Sequence, residues 1–196
     1  MSTWIELKNN PRIAEIYRQR AVIIHLIRDF FWSRDFVETD TPVAVKLPGQ
    51  EPYLNPVPVE LHDPRSESYR FYLQTSPEFA MKKLLAAGWP KIFQICKCFR
   101  DYEDFGGRHN TEFTMIEWYR APGNLSEIMD DTENLFKFVG ARLGVNKIKY
   151  KEREINIEGI WERRSMKEIW QKLVGVNLDE YLELPAMGEL VKKLGL

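Results

Sequence analysis

The sequence predicts an α+β fold that combines long helices with an antiparallel hairpin. Apolar residues recur every three or four positions over residues 11–34 and again over Leu125–Leu143, which is the period of a helix with one buried face. Between these helices, residues 92–99 and 112–119 are rich in β-branched and aromatic side chains and predict the two strands of a long hairpin. A hairpin between two long helices is typical of the α+β class.

The composition favours one soluble globular domain with enough apolar residues for a sizeable core. Of the 196 residues, 44% are hydrophobic and 29% are charged. The 28 basic and 29 acidic residues leave a formal net charge of -1, so bulk attraction toward nucleic acid or membranes is not expected. No stretch approaches the roughly 18 apolar residues of a membrane span, and the N-terminal segment lacks the apolar core of a signal peptide. The predicted location is cytoplasmic.

The segment between the first long helix and the hairpin is predicted to hold short strands and loops. Residues 36–45 form an extended stretch, and Pro42 places a bend or a sheet edge within it, because proline cannot donate to a central ladder. Residues 48–68 contain the prolines and polar residues that are typical of loops around short strands. Residues 69–74 predict a further strand.

A short helix and several weaker elements complete the prediction. A hydroxyl residue, a proline and an acidic residue at positions 75–78 predict a helix start, and Gly88 predicts the end of that helix. Ser126 is the candidate N-cap of the second long helix. Residues 169–174 and 187–194 predict short amphipathic elements near the end of the chain.

Cys96 and Cys98 are the two cysteines of the chain, and their spacing places both side chains on one face of the predicted strand. No further cysteine or paired histidine completes a metal site. We therefore expect core residues here rather than a redox or metal centre, and no metal ligand is assigned in this sequence. His25 and His62 are isolated and are expected to be structural.

The predicted hairpin carries a charged loop over residues 100–110, which is too long for a tight turn and more typical of a ligand-binding loop. Arg100 and Arg108, near the two ends of this loop, are suited to phosphate oxygens because a guanidinium is planar. Strand alternation places Glu117 and Tyr119 on one side, where they could hold a ligand ammonium group. From the residues alone, a surface hairpin with ordinary salt bridges remains the alternative.

Three segments in order resemble the lysine branch of the class II aminoacyl-tRNA synthetases, nearest to the elongation factor P lysine ligases. Residues 12–45, a helix followed by the sequence DFVETDTP, resemble motif 1 of that family. Residues 73–85, with the sequence LQTSPEFAMKKLL, resemble its substrate-binding segment. Residues 92–120, with FR before the loop and RHNTEFTMIEWY after it, resemble motif 2. The resemblance covers roughly residues 12–125.

This resemblance implies a fold in which an antiparallel sheet is flanked by helices. It also implies an enzyme that binds ATP and activates an amino acid as an adenylate, with release of pyrophosphate. It implies that Arg100 is the catalytic residue, facing the α-phosphate. It assigns the ATP site to Arg100, Asp101, Tyr102, Glu103, Arg108 and Asn110. It assigns the amino-acid site to Ser76, Pro77, Glu78, Glu117 and Tyr119. No nucleophilic side chain is required for this reaction.

The loop of motif 2 departs from the family pattern in two ways. Tyr102 stands where many relatives have an acidic residue, and Glu103 follows it. The loop is also about one residue longer, so the register from Tyr102 to Arg108 stays open. His109 could act as a catalytic base or could brace the hairpin. The bracing role is favoured because the chemistry needs no base.

Two absences refine the expected function. Only a short segment precedes the motif 1 helix, without room for an anticodon-binding domain, and no segment resembles the glycine-rich motif 3. We therefore expect residues 1–196 to be the N-terminal part of a single catalytic domain that is C-terminally incomplete and inactive alone. The Mg²⁺ ligands and a second ATP-binding arginine are expected in the missing part.

The favoured activity is ATP-dependent transfer of lysine or β-lysine to a lysine of elongation factor P. The alternatives are a lysyl-tRNA synthetase core that charges tRNA and a noncatalytic synthetase paralogue that acts as an interaction module. The resemblance of the motif 1 helix also implies a homodimer through that helix, and no membrane partner is expected.

Overall fold

A computed structural model of the protein describes residues 4–104, 107 and 109–195. The chain divides into two compact units, one that ends at Asn146 and one that begins at Lys147. The prediction that residues 1–196 form the first part of a single catalytic domain stays a prediction.

The first unit contains four helices and six strands within the described residues. The helices are α1 (Trp4–Asn9), α2 (Pro11–Trp32), α3 (Glu78–Ala86) and α4 (Leu125–Leu143). The strands are β1 (Val37–Glu38), β2 (Ala44–Val45), β3 (Pro58–His62), β4 (Ser68–Leu73), β5 (Lys91–Phe99) and β6 (Glu112–Arg120). This order of elements confirms the predicted α+β class with antiparallel sheets beside helices.

The main sheet has the order β1-β5-β6. Strands β5 and β6 form the predicted antiparallel hairpin, in which Gln94 pairs with Glu117 and Cys96 pairs with Met115. Strand β1 joins the other edge of β5 in a parallel orientation. A second antiparallel sheet has the order β2-β4-β3. The two-residue strands β1 and β2 lie on either side of Pro42, which fits the predicted bend in this extended stretch.

The two faces of the hairpin have different surroundings because side chains alternate along each strand. One face packs against α2 and α4 through an apolar cluster that includes Phe30, Phe31, Phe93 and Leu135. The ring of Phe31 stacks on Phe93 with a centroid distance of 4.9 Å. Each fully buried phenylalanine stabilises the folded state by roughly 1.5–3 kcal/mol, because its apolar side chain is removed from water. This packing fixes the hairpin and leaves its opposite face, which carries Glu117, available for a site.

Helix α2 begins and ends close to the predicted positions. Pro11 is its first residue, and the Asn10 side chain accepts hydrogen bonds from the backbone N–H groups of Arg12 and Ile13. The helix ends at Trp32, where the backbone N–H of Ser33 donates to the carbonyl of Asp29. The predicted helix over residues 11–34 is thus confirmed with an end two residues earlier.

Helix α3 lies where it was predicted, but the predicted hydroxyl cap is wrong, because the N-cap is Pro77, which makes no side-chain cap hydrogen bond. It begins at Glu78, whose backbone N–H donates to the Ser76 hydroxyl oxygen at 3.1 Å. The helix ends at Ala86, and Gly88 adopts a φ of 93°, a left-handed conformation that glycine adopts without steric cost. This turn allows the backbone N–H of Trp89 to donate to the carbonyl of Leu84 at 3.1 Å.

Helix α4 covers the predicted range, but the predicted cap is wrong. Asn124, not Ser126, is the N-cap, and its side chain accepts from the backbone N–H of Glu127 at 3.3 Å. The Glu127 carboxylate in turn accepts from the backbone N–H of Asn124 at 2.8 Å, which completes a capping box. Ser126 is the second residue of the helix and is exposed.

Replacing Asn124 with alanine is expected to destabilise the protein by about 1 kcal/mol, because the backbone N–H of Glu127 loses its side-chain acceptor at the start of α4. Ser126→Ala is the matched control, and its expected effect is within about 0.5 kcal/mol. Chemical denaturation followed by circular dichroism measures both values. A larger loss for Ser126→Ala than for Asn124→Ala would contradict this assignment.

The second unit contains a two-stranded antiparallel sheet and short helices. Its elements are β7 (Lys147–Tyr150), β8 (Arg153–Asn156), α5 (Met166–Leu173), a 3-10 helix (Leu178–Tyr181) and α6 (Leu184–Leu194). Helices α5 and α6 include most of the two predicted amphipathic segments, whereas the hairpin was not predicted. Within the described residues, every helix is too short or too polar to cross a membrane.

Candidate active site

The candidate site lies on the face of the β5–β6 hairpin that is turned away from the apolar cluster, and Glu117 is at its centre. The Ser76 hydroxyl donates to one carboxylate oxygen of Glu117, Oε1. The Tyr119 hydroxyl donates to the other, Oε2, at 2.5 Å. The structure therefore brings together three residues of the predicted amino-acid site, although Ser76 comes from a segment before the hairpin.

The remaining two residues predicted for the amino-acid site lie at the start of α3. Pro77 is fully buried and precedes the helix, and Glu78 is its first residue. The Glu78 carboxylate pairs with Lys82 one turn later, with an Nζ–Oε1 distance of 2.5 Å. The hydrogen bond and the charge of Glu78 raise the pKa of Lys82 above its usual value. This ion pair offsets the negative charge of Glu78.

Tyr119 is held as a neutral donor beside Glu117. Burial raises the pKa of Tyr119 well above its usual value, and the hydrogen bond to Glu117 and the charges of Glu117 and Glu78 raise it further. The phenol therefore keeps its proton near neutral pH and donates it to the carboxylate. A carboxylate with two hydroxyl donors is held in one orientation, which suits it to binding a cationic group.

A buried polar network supports the floor of the site. The Gln94 side chain, opposite Glu117 in the strand pairing, donates to Thr41 Oγ1 at 2.9 Å and accepts from Thr39 Oγ1 at 3.2 Å. The neighbouring Gln74 side chain donates to the carbonyl of Lys97 at 2.9 Å. Satisfied networks of this kind hold a single arrangement of a core. Sequence reasoning missed these residues, although a glutamine inside an apolar strand is a usable signal.

Arg100 follows directly after β5 at the base of the hairpin loop. Its guanidinium carbon lies 5.0 Å from the centre of the Phe113 ring. Its Nε is buried and has no hydrogen-bond partner among the residues that the structure describes. Arg100 and Phe113 line an open groove of about 230 Å³. The other described residues of this groove are Glu103, His109 and Asn110.

The other residues predicted for the ATP site differ in their contacts and exposure. The backbone N–H of Asp101 donates to the carbonyl of Asn55 at 2.7 Å. Tyr102 is 87% exposed and adopts a φ of 56°. The Glu103 carboxylate lies 3.3 Å from His109 Nδ1. This contact spans the loop, as expected of a histidine that braces the hairpin. Arg108 lies outside the described residues.

The two cysteines lie next to each other on the same face as Glu117, with a distance of 3.8 Å between their sulfur atoms. Both are free thiols, and Cys98 is buried whereas Cys96 is partly exposed. The contact from the Cys98 thiol lowers the pKa of Cys96, and the same contact together with burial raises the pKa of Cys98. The pair thus contains one partly exposed and one buried cysteine.

We expect iodoacetamide to alkylate Cys96 about tenfold or more faster than Cys98, because the thiolate is the nucleophile and Cys96 is the more accessible thiol with the lower pKa. Trypsin separates the two cysteines at Lys97, so peptide mass mapping over a time course measures each rate. The Cys96→Ser variant should remain mostly unmodified over the same time. Equal labelling of both cysteines would contradict the assignment.

The chain belongs to the tRNA synthetases class II (D, K and N), a family that residues 2–187 match. The resemblance stated from the sequence is thereby confirmed at the level of the family. The motif boundaries and the roles of individual residues stay predictions.

Curated relatives of this chain carry two kinds of name. A lysine–tRNA ligase of Mesomycoplasma hyopneumoniae strain J is 38% identical over 180 residues, which cover 89% of this chain and 35% of that protein. A lysine–tRNA ligase of Clostridium tetani is 31% identical over 190 residues, covering 96% of this chain and 37% of the relative. An elongation factor P–(R)-β-lysine ligase of Pseudoalteromonas translucida is 42% identical over 123 residues, which cover 62% of this chain and 38% of that protein. The chain therefore spans little more than a third of the length of these relatives.

Proposed function

We propose that the protein containing this chain activates lysine or β-lysine with ATP and transfers it to a lysine of elongation factor P. The observation that carries the proposal is the carboxylate of Glu117, which the hydroxyl groups of Ser76 and Tyr119 orient on the face of the hairpin opposite the apolar cluster. Such a group suits the terminal ammonium of a lysine side chain. Relatives that are named as lysine ligases support the same substrate class.

In the proposed reaction, a carboxylate oxygen of the amino acid attacks the α-phosphorus of ATP. The new oxygen–phosphorus bond gives an adenylate, and pyrophosphate leaves. The amine nitrogen of the acceptor lysine then attacks the activated carbonyl carbon, loses a proton and releases AMP. The guanidinium of Arg100 stabilises the charge that develops on the α-phosphate, which is an electrostatic contribution that depends on positioning.

The Arg100 groove at the base of the hairpin loop supports the proposed ATP site. The Arg100 Nε is buried and has no partner in the described part of the chain, and a phosphate oxygen is the acceptor that we propose for it. ATP reacts in such enzymes together with Mg²⁺. From the family resemblance, we propose that acidic residues of motif 3 hold the Mg²⁺. Among the described residues, no three His, Cys, Asp or Glu side chains cluster as metal ligands do.

The acceptor is proposed from two observations. The relative named for elongation factor P is 42% identical to this chain, more than the lysine–tRNA ligases described above, over a shorter stretch. The chain also has a formal net charge of -1, which gives no bulk attraction to RNA. Charging of tRNA is the second candidate, because lysine–tRNA ligases match a larger share of the chain.

With radiolabelled lysine or β-lysine and ATP, we expect label on elongation factor P to exceed label on tRNA by at least about tenfold, because a chain with a formal net charge of -1 has no bulk electrostatic attraction to the tRNA backbone. Parallel assays with equal concentrations of both acceptors measure the two rates. A variant of elongation factor P with its acceptor lysine replaced by arginine is the control. Efficient charging of tRNA without label on elongation factor P would favour the second candidate.

A noncatalytic interaction module is a less well-supported alternative, because the structure keeps Ser76, Glu117 and Tyr119 in direct contact.

We also propose the homodimer through α2. Ile16 and Tyr17 on this helix are 52% and 50% exposed, which provides apolar surface for a second copy.

A further inference from the structure

Three sulfur atoms lie close together on the face of the hairpin that carries Glu117. Cys96 Sγ and Cys98 Sγ are 3.8 Å apart, and Cys98 Sγ is 4.0 Å from Met115 Sδ. Met115 is also the direct partner of Cys96 in the strand pairing. The sequence offers no third cysteine for these two thiols, but the pairing of the strands brings a thioether to them.

The distances in this sulfur cluster suit three ligands of one metal ion. Around an ion with metal–sulfur bonds of about 2.3 Å, neighbouring sulfur ligands lie about 3.8–4.0 Å apart in a tetrahedral or trigonal arrangement. Both measured separations fall in this range. Thiolate and thioether sulfur select soft ions such as Cu(I), whereas a hard ion such as Mg²⁺ takes oxygen ligands. The sulfur cluster is therefore distinct from the Mg²⁺ site proposed above.

The two thiols have the properties that metal binding requires. Both are free, and Cys96 is partly exposed, which gives an ion a route to the buried Cys98. The contact from Cys98 lowers the pKa of Cys96, which favours the thiolate, the form that binds metals. Cys98 loses its proton on coordination, because a thiol that coordinates a metal ion is deprotonated.

The sulfur cluster lies between the two parts of the candidate site. Cys96 follows Gln94, the strand partner of Glu117, by two residues, which span about 7 Å along a strand. The contact from Cys96, burial and the charge of Glu117 raise the pKa of Cys98, whereas the charge of Arg100 lowers it. An ion in the cluster would thus lie between the proposed contacts to the substrate ammonium and to the phosphate.

We propose that Cys96, Cys98 and Met115 form a binding site for one soft metal ion of the Cu(I) type. Zn²⁺ prefers four ligands, so a site of two thiolates and one thioether favours Cu(I). Because the ion lies between Glu117 and Arg100, it inhibits the proposed activation of lysine. This inhibition rests on the proposed function, whereas the binding of the ion does not.

Competition with the chromophoric Cu(I) ligand bicinchoninate, without oxygen and with a reductant, tests the site in the protein that contains this chain. The wild type should bind one equivalent of Cu(I) whose affinity falls at least about a hundredfold in Cys96→Ser and in Cys98→Ala. Met115→Leu, which keeps the size of the side chain, should weaken binding by about tenfold. Met166→Leu in α5, where Met166 is 60% exposed, is the matched control and should bind as the wild type.

A second readout uses the unaltered chain, so it does not depend on the folding of a variant. One equivalent of Cu(I) should slow the alkylation of Cys96 by iodoacetamide about tenfold or more, because the thiolate is the nucleophile. No uptake of Cu(I) by the wild type, or full affinity in both cysteine variants, would overturn the site. Full affinity in Met115→Leu would overturn the three-sulfur arrangement.

The inhibition is tested by lysine-dependent ATP–pyrophosphate exchange with and without one equivalent of Cu(I). Cu(I) should suppress exchange by the wild type about tenfold or more and should leave exchange by Cys96→Ser within about twofold, because that variant lacks a ligand. Equal suppression in both would overturn the inhibition. If the wild type without Cu(I) exchanges with neither lysine nor β-lysine, the proposed function fails, while the measured binding of Cu(I) still decides the metal site.

Discussion

Replacing Arg100 with alanine is expected to lower kcat/KM for lysine-dependent ATP–pyrophosphate exchange by about a hundred- to a thousand-fold. The guanidinium sits beside the groove at the base of the hairpin loop, where its Nε has no partner in the described part of the chain. Loss of one positioned donor that stabilises charge in a transition state has an effect of about this size. The Phe113 ring, 5.0 Å from the guanidinium carbon, holds the side chain in place before ATP binds.

Two further variants separate charge from geometry at Arg100. Arg100→Lys keeps the positive charge but loses the planar fork, so we expect it to recover only part of the loss. Arg153→Ala, at an exposed position of β8, is the matched control and should behave as the wild type. If Arg100→Ala exchanged pyrophosphate within about twofold of the wild type, Arg100 would not face the phosphate.

Replacing Glu117 with glutamine is the second change with a large expected effect. The substitution keeps the size of the side chain and removes the charge that pairs with the substrate ammonium. Loss of this charge-assisted contact should raise the activation free energy for lysine by about 2 to 4 kcal/mol. Since about 1.4 kcal/mol corresponds to tenfold, kcat/KM for lysine should fall by roughly 30- to 700-fold.

The Glu117→Gln variant should also lose its preference for lysine over norleucine, because these amino acids differ only in the terminal ammonium group. Glu154→Gln in β8 is the control, since Glu154 forms an exposed ion pair with Lys147 at 3.1 Å. Steady-state exchange rates with both amino acids measure the change. An unchanged preference in Glu117→Gln would show that another group recognises the terminal ammonium.

Local patterns predicted the elements that position the site. Periodic apolar residues predicted α2 and α4 because each helix buries one stripe, and alternation predicted that Glu117 and Tyr119 share a face. The cap of α4 was missed because both Asn124 and Ser126 are good capping residues, and only the backbone path decides between them. The β7–β8 hairpin was missed because all of its residues are exposed and carry no buried face.

Contacts between distant segments could not be predicted from these patterns. Ser76 is 41 positions from Glu117, so its hydrogen bond depends on the packing of α3 against the hairpin. The family resemblance supplied the predicted role of Arg100, which no spacing rule provides.

The most direct test of the central proposal is amino-acid-dependent ATP–pyrophosphate exchange by the protein that contains this chain. With ATP, Mg²⁺ and labelled pyrophosphate, we expect label to enter ATP when lysine or β-lysine is present. Leucine should not support this exchange, because it has no side-chain ammonium group to pair with Glu117. Leaving that carboxylate without a cation should raise the activation free energy by about 2 to 4 kcal/mol. Exchange with leucine at a rate comparable to lysine, or no exchange with lysine and β-lysine, would contradict the assignment of this site as a lysine-activating centre.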